Sequence, residues 1–506
     1  MLAVAYMLLS SVAGHAQSSV NQPGYPIEIR TQDLEAPALT DNWLSYHGDY
    51  TGRRYSSLEQ ITPDNVSQMQ LQWAFHSRNA SFDGAAPIVV GGVMYVASSN
   101  DTFAIDARTG VMLWRYTRQG SADSADSTSV HANRGIAVFG SRLYMVTDDA
   151  HLICLDARSG GLVWETPYED GKNNYGAPSA PLVIRDKIIV GISGGQHGES
   201  GSLAAFDASD GRALWRSGMD TFAGSNNLPK ELETLRNHCG TAMWVPGTYD
   251  PSQRALYWSI GHFTPPLNGS VQPGEGQNAN CLLALDPETG KLKWHSELTP
   301  HEHCDNGAPR IPVLVDVTYK GSLQRAIIES NANGSVDVID RETGTILSKS
   351  GERCHQAANV AWNVPAFNER THLFYFLRAD ESNIHSPGTG SSVSHRKSKV
   401  ASGEKPFVNS EKATILAYNL ASEREEWRNS ETGTNVAPSS LLTTAAGLLL
   451  FGGAQSFRVA DATSGKLLWH FNMGQKITAP PISYAIHEKQ YFVISAGKDI
   501  FAFGLS

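Results

Sequence analysis

Seven residues, His301 to Gly307 (HEHCDNG), bring two imidazoles, a thiol and two carboxylates into one short stretch. Imidazole and thiolate are ligands for Zn²⁺, Cu or Ni²⁺. The carboxylate of Asp305 is a candidate general base. In an extended strand His301 and His303 share one face and Cys304 points to the other. The same composition also suits a polar loop with no chemistry, and an Asp just before a Gly often caps a turn. His238, Cys239 and His262 are further groups of this kind. Trp244, in CGTAMWVPGTYDP, offers an indole as a flat stacking surface. These groups lie far apart in sequence, so the elements that position them decide what they can do.

The chain has 506 residues, 41% hydrophobic and 18% charged, a globular composition long enough for about three domains or one large repeat array. A net charge of −10 leaves no basic stripe to neutralise phosphates, which argues against a nucleic-acid partner. The basic run His395-Arg396-Lys397 with Lys399 sits in a Ser/Gly-rich stretch, His385 to Lys412, and reads as a long solvated loop. The start, MLAVAYMLLSSVAGHAQ, is mostly apolar from Leu2 to Ala13, with Gly14 and Ala16 before Gln17. Residues 1–16 therefore read as a secretory signal peptide and 17–41 as an N-terminal extension, although no Lys or Arg precedes the apolar run. No later run reaches the ~18 apolar residues of a membrane span. The expected product is periplasmic or secreted. Its cysteines, 154, 239, 281, 304 and 354, are odd in number, so one or two disulfides leave at least one thiol free in a monomer. No C-x-x-C-H is present, so no c-type haem is attached.

One pattern recurs: an apolar strand, Asp, three residues, Gly, three residues, Trp. It ends at Trp114, Trp164, Trp215, Trp294 and Trp469. Two copies are worn. VIDRETGTILS has Ser348 in place of Trp, and AYNLASEREEW keeps Trp427 but has Asn419 and Glu423 for Asp and Gly. Each copy predicts a β-hairpin whose Asp caps the turn and whose Gly takes positive φ. A Trp at the same place in every copy fills the gap between neighbouring sheets. An eighth strand end, MQLQWAF with Trp73, lies near the start, and KQYFVISAGKDIFAFGLS at the C-terminus lacks a Trp. These halves fit as one blade closed by the two termini. The predicted fold is an all-β, eight-bladed β-propeller over residues 42–506.

With the repeats in place, NWLSYHGDYTGRRYSSLEQITPDNVSQMQLQWAF, Asn42 to Phe75, resembles the opening of the pyrroloquinoline quinone (PQQ) dependent alcohol dehydrogenases of the methanol and ethanol dehydrogenase type. The Trp-ended blades resemble their tryptophan-docking repeats, and the likeness runs, with gaps, to the C-terminus. The resemblance implies PQQ lying flat on the axis, stacked on a Trp and facing a vicinal disulfide. It implies Ca²⁺ or a lanthanide held by Glu, Asn and Asp, the Asp also being the general base. Carried over by motif, HANRG gives Arg134 as a PQQ contact, and GISGG gives Ser193 and Gly194 as its wall. CGTAMW gives Trp244 as the stacking indole, with Thr241 or Ala242 at a Thr position. LTPHEHCDNG gives Asp305 as the catalytic base, with Cys304 at a Trp position.

Other positions depart from that pattern. The vicinal cysteines fall on Thr128-Ser129, the metal-binding Glu on Gln196 and the metal-binding Asn on His262. The cation that contacts the quinone falls on Ala332, a Thr on Pro178, and the extra Asp of lanthanide enzymes on Gly307. The implied metal positions are then Asp305, Gln196 and His262, with Glu199 and Glu302 near in sequence to supply a lost carboxylate. Ca²⁺ takes six to eight oxygen ligands, and imidazole is a poor one for a hard cation. The resemblance leads to a quinoprotein dehydrogenase that oxidises a small alcohol-type substrate with PQQ and Ca or another divalent metal. Its electrons go to a separate acceptor. Two alternatives stand beside it: a non-catalytic propeller scaffold, like the propeller subunit of outer-membrane β-barrel assembly, and a propeller with a His-based transition-metal site.

Overall fold

The computed structural model describes residues 27–36, 41–118 except 79, 83 and 99, 133–168 except 148–149, 179–192, 201–218, 243–261 except 244, 280–298, 310–330 except 320, 335–350, 364–379, 412–432, and 438–506 except 454 and 478. These form eight antiparallel sheets of four strands, one of which gains a short fifth strand, Tyr55–Ser56, along its inner edge. The sheets are the blades of the propeller. Blade 1 runs from Ile88 to Thr117, blade 2 from Ala137 to Pro167, blade 3 from Leu182 to Gly218 and blade 4 from Thr248 to Glu297. Blade 5 runs from Val313 to Ser350, blade 6 from Ala366 to Thr432 and blade 7 from Pro438 to Asn472. Blade 8 takes three strands between Ile482 and Gly504 and its outermost strand, Gln70–His76, from the other end of the chain. The ring closes between the termini, as the split copy of the repeat predicts.

The repeat itself builds each blade-to-blade contact. The turn Asp accepts backbone N–H groups two and three residues on, as in Asp106 Oδ1 with Arg108 and Thr109 at 2.9 Å. Asn419 does the same with Ala421 and Ser422, because an amide oxygen accepts as a carboxylate does. The Trp of one blade lies on the turn Gly of the next. A Cβ added at Gly160 or Gly344 would fall 2.5 Å from the indole of Trp114 or Trp294. Trp73, Trp114, Trp215 and Trp427 also donate Nε1–H to a carbonyl of the neighbouring turn, at 3.0–3.2 Å. The two worn copies are therefore one lost contact seen from both sides. Blade 5 carries Ser348 where the indole belongs, and blade 6 carries Glu423 where that indole would dock. The Tyr319 hydroxyl of blade 5 instead donates to Glu423 Oε1 at 2.7 Å.

The axis is filled by a segment outside the repeats. Residues 27–36 and 41–56 form a strap that touches every blade. Ile29 exchanges both backbone hydrogen bonds with Gly140 of blade 2, and Trp43 does so with Val89 of blade 1. The Tyr50 hydroxyl reaches Val183 O of blade 3 at 2.6 Å. Carbonyls of Tyr50, Thr51, Arg53 and Arg54 accept from Tyr249, Leu314, Phe367 and Thr443 of blades 4 to 7, and Asp41 accepts from Ala485 of blade 8. Part of the stretch read as an N-terminal extension thus packs into the core, with Ile27, Ile29 and Leu34 buried. Residues 1–26 lie outside the described residues.

Candidate active site

Strand order gives the ring two distinct ends. In each blade the first-to-second and third-to-fourth turns leave from one end, where the docking glycines sit. The second-to-third links and the blade-to-blade links leave from the other. Lys187–Ile192 ends just before Ser193, and Ala255–Ile260 ends two residues before His262. Met243 and Val245 flank Trp244, and Arg310 follows the stretch that holds Asp305. All these strand ends belong to the end opposite the docking turns. Ser193, Gly194, Gln196, Thr241, Trp244, His262 and Asp305 themselves lie outside the described residues. So do His238, Cys239, Glu199, His301, Glu302, His303, Cys304, Thr128, Ser129, Pro178 and Ala332.

Arg134 is described, and it is held tightly. It lies on the link from blade 1 to blade 2 and is 7% exposed. Its carbonyl accepts from Ala86 at 3.0 Å, and Asn133 Nδ2 donates to Val146 O at 2.9 Å. Gly135 adopts φ +150°, and a Cβ there would come within 3.2 Å of Ala86 O. Burial pulls the Arg134 guanidinium down to about 9, with the Tyr46 phenol opposing the shift. It remains a cation at neutral pH.

Beneath it sits the strap. Tyr46 packs with Ala86, Ala180, Val245, Ile311 and Val364, residues on the approaches to five blades. The Tyr46 and His47 rings meet edge to face at 4.9 Å. His47 is 3% exposed and lies against the Pro246 backbone. Burial, and then the charge of Arg54, hold its imidazole well below the usual histidine value, so it is neutral. Arg54 is fully buried under the rings of Trp43 and Tyr46, and its pKa falls to about 10 through desolvation, opposed by Tyr46. It donates to Leu441 O at 3.0 Å, to Tyr46 O at 2.5 Å and to Pro481 O. The sequence motif HANRG singles out Arg134, but Tyr46, His47 and Arg54 escape a motif reading. Their signal is the dense aromatic and basic run YHGDYTGRRY, outside any repeat.

Two buried guanidinium charges, Arg134 and Arg54, thus lie beside Tyr46 of the strap. That charge suits an anionic ligand such as a polycarboxylate. The metal positions do not make such a case. They amount to one carboxylate, one amide and one imidazole, and among the described residues no cluster of three His, Cys, Asp or Glu side chains stands ready for a metal. Cys154 is free and buried, with its thiol pushed up to about 12 by desolvation, so it is a core residue and not a nucleophile. Cys281 is disulfide-bonded. Among the described residues no helix is long and apolar enough to cross a membrane.

Over residues 43–364 the chain matches the PQQ family profile, described as "Glucose/ethanol/alcohol dehydrogenase, beta-propeller domain". Residues 332–505 match a second profile, described as "Outer membrane protein assembly factor BamB". The chain is 28% identical to the quinohemoprotein alcohol dehydrogenase ADH IIB of Pseudomonas putida, over 90% of this chain and 73% of that one. It is 27% identical to the quinoprotein alcohol dehydrogenase PedH of the same species, over 98% and 91%. Its structure is similar to that of the quinohemoprotein alcohol dehydrogenase from Comamonas testosteroni, with a TM-score of 0.77 at 24% identity, covering 94% of this chain and 82% of that one. It is also similar to a europium-containing methanol dehydrogenase, with a TM-score of 0.76 at 22% identity, covering 94% and 100%. These two structural likenesses speak to the fold alone.

Proposed function

Since the chain belongs to the PQQ family of glucose/ethanol/alcohol dehydrogenase β-propellers, we propose that it is a quinoprotein oxidoreductase acting on an alcohol or a related hydroxyl compound. It works after export, in the periplasm or outside the cell, and passes its electrons to a separate carrier. The observation that carries this reading is Arg134: a buried cation against the axis, at the position the family motif assigns to a PQQ contact.

PQQ, when bound, supplies the two-electron acceptor that protein side chains lack. The residues of this chain do the rest. Arg134 is the cation for one of its carboxylates, Trp244 the stacking surface, and Ser193, Gly194 and Thr241 the wall. Asp305 takes the proton of the substrate hydroxyl. The metal assigned to Asp305, Gln196 and His262 does not fit well as Ca²⁺, which favours several carboxylate and carbonyl oxygens. A reduced-dye assay on folded protein reconstituted with PQQ and Ca²⁺ tests the activity. Asp305→Asn is expected to keep PQQ bound and to lower kcat by at least about 10²-fold. Folded protein that reduces no dye with any alcohol would instead favour a non-catalytic scaffold. The changes at Thr128-Ser129, Gln196, His262 and Ala332 and the match over residues 332–505 support that second reading.

A further inference from the structure

We infer that Tyr46 and His47 are positioning residues of the PQQ site, so that the strap as well as the blades sets the spacing of the cradle. The inference rests on the proposed function. Two described stretches lie next to the sequence-predicted PQQ positions: 133–135, which carries Arg134, and Met243 with 245–247, which bracket Trp244 in sequence. The strap wedges between them. The Tyr46 ring comes within 3.8 Å of a Cβ built on Gly135, and Tyr46 also packs against Val245. His47 is braced edge to face on Tyr46 at 4.9 Å and lies against the backbone of Pro246. From below, Arg54 clamps the pair through the Tyr46 carbonyl at 2.5 Å and fixes it to blades 7 and 8 through Leu441 and Pro481. The approaches that bear the cradle come from different blades and have no backbone hydrogen bond to each other in the described residues. The Tyr46–His47 pair spans them from the strap side, beside the approach to blade 3, where Ser179 Oγ donates to Val245 O at 3.4 Å and Ala180 lies 3.7 Å from a Cβ built on Gly135.

The test compares wild type, His47→Phe, Tyr46→Phe and Leu34→Ala. Leu34 is a buried strap residue in the short helix Thr31–Glu35, in a cavity lined by Leu44, Ser45, Tyr50 and residues of blades 2 and 3 but not by the pair itself. PQQ affinity is read from quenching of protein fluorescence, the environment of the quinone from its bound absorption band, and folding from circular dichroism and the thermal midpoint. His47→Phe is expected to weaken PQQ binding at least about tenfold and to shift the band. Tyr46→Phe, which keeps the ring that makes these contacts, is expected to retain the wild-type affinity and band. Leu34→Ala should lower the midpoint and leave affinity and band unchanged. Wild-type affinity and spectrum in folded His47→Phe overturn the inference, as does an equal loss of affinity in Leu34→Ala. Folded wild type that binds no PQQ overturns the proposed function itself, and this inference with it.

Discussion

At the scale of single residues, the molecule buries charge in two different ways. Arg54 is fully compensated by three carbonyls and two aromatic faces, and it acts as a pin. Arg341 is paired with carboxylates. It reaches Asp250 of blade 4 at 2.9 Å and Asp316 of its own blade at 2.7 Å. Burial works against the charged Asp250, but the hydrogen bonds from Ser252 and Arg341 outweigh it and hold the carboxyl below its ordinary value of 3.8. An acid whose folded-state pKa is depressed contributes stability above its unfolded pKa and loses it as pH falls through the folded value. Asp250→Asn should therefore cost about 1–3 kcal/mol near neutrality. The gap in thermal midpoint between variant and wild type should narrow as pH is taken below 3.8. An undiminished gap in acid would mean that the pair acts through shape and not charge. Residues of this kind are hard to read from sequence. Arg134 stands in a recognisable motif, whereas the burial of His47 and Arg54 follows from a segment crossing the axis, which leaves no periodic trace.

At the scale of elements, the hairpin repeat was the most legible feature of the chain. Asp, Gly and Trp each have a fixed physical task, and their spacing places all three. The irregular copies were legible as irregular, but their link was not, because sequence order does not say which blade a given Trp touches. The structure makes Ser348 and Glu423 partners across one interface. Single restorations should fail: an indole at 348 would meet a side chain at 423, as a Cβ at the intact sites falls 2.5–2.7 Å from the ring atoms. Glu423→Gly alone removes the hydrogen bond from Tyr319. The double variant Ser348→Trp/Glu423→Gly should be more stable than the sum of its single changes, with a coupling of about 1–2 kcal/mol in a thermodynamic cycle. Simple additivity would show that this interface no longer accommodates the docking contact.

At the scale of the whole molecule, three devices make one rigid ring: the split eighth blade, the docked tryptophans and the strap that touches all eight blades. The first two were readable from repeat spacing. The strap was visible only as an opening segment with a family likeness. The strand ends that lead toward the sequence-predicted site positions share one end of the ring, where the buried guanidinium of Arg134 lies on the link from blade 1 to blade 2. The central claim is that this end is built to hold PQQ. The most direct measurement is a titration of purified, folded wild type and Arg134→Met with PQQ, with and without Ca²⁺, followed by the absorption band of the bound quinone. Loss of a charge-assisted contact worth about 1.5–3 kcal/mol predicts saturable binding by wild type and affinity weaker by at least about tenfold in Arg134→Met. Absence of a bound quinone band in folded wild type, or equal affinity in the two proteins, would contradict the account.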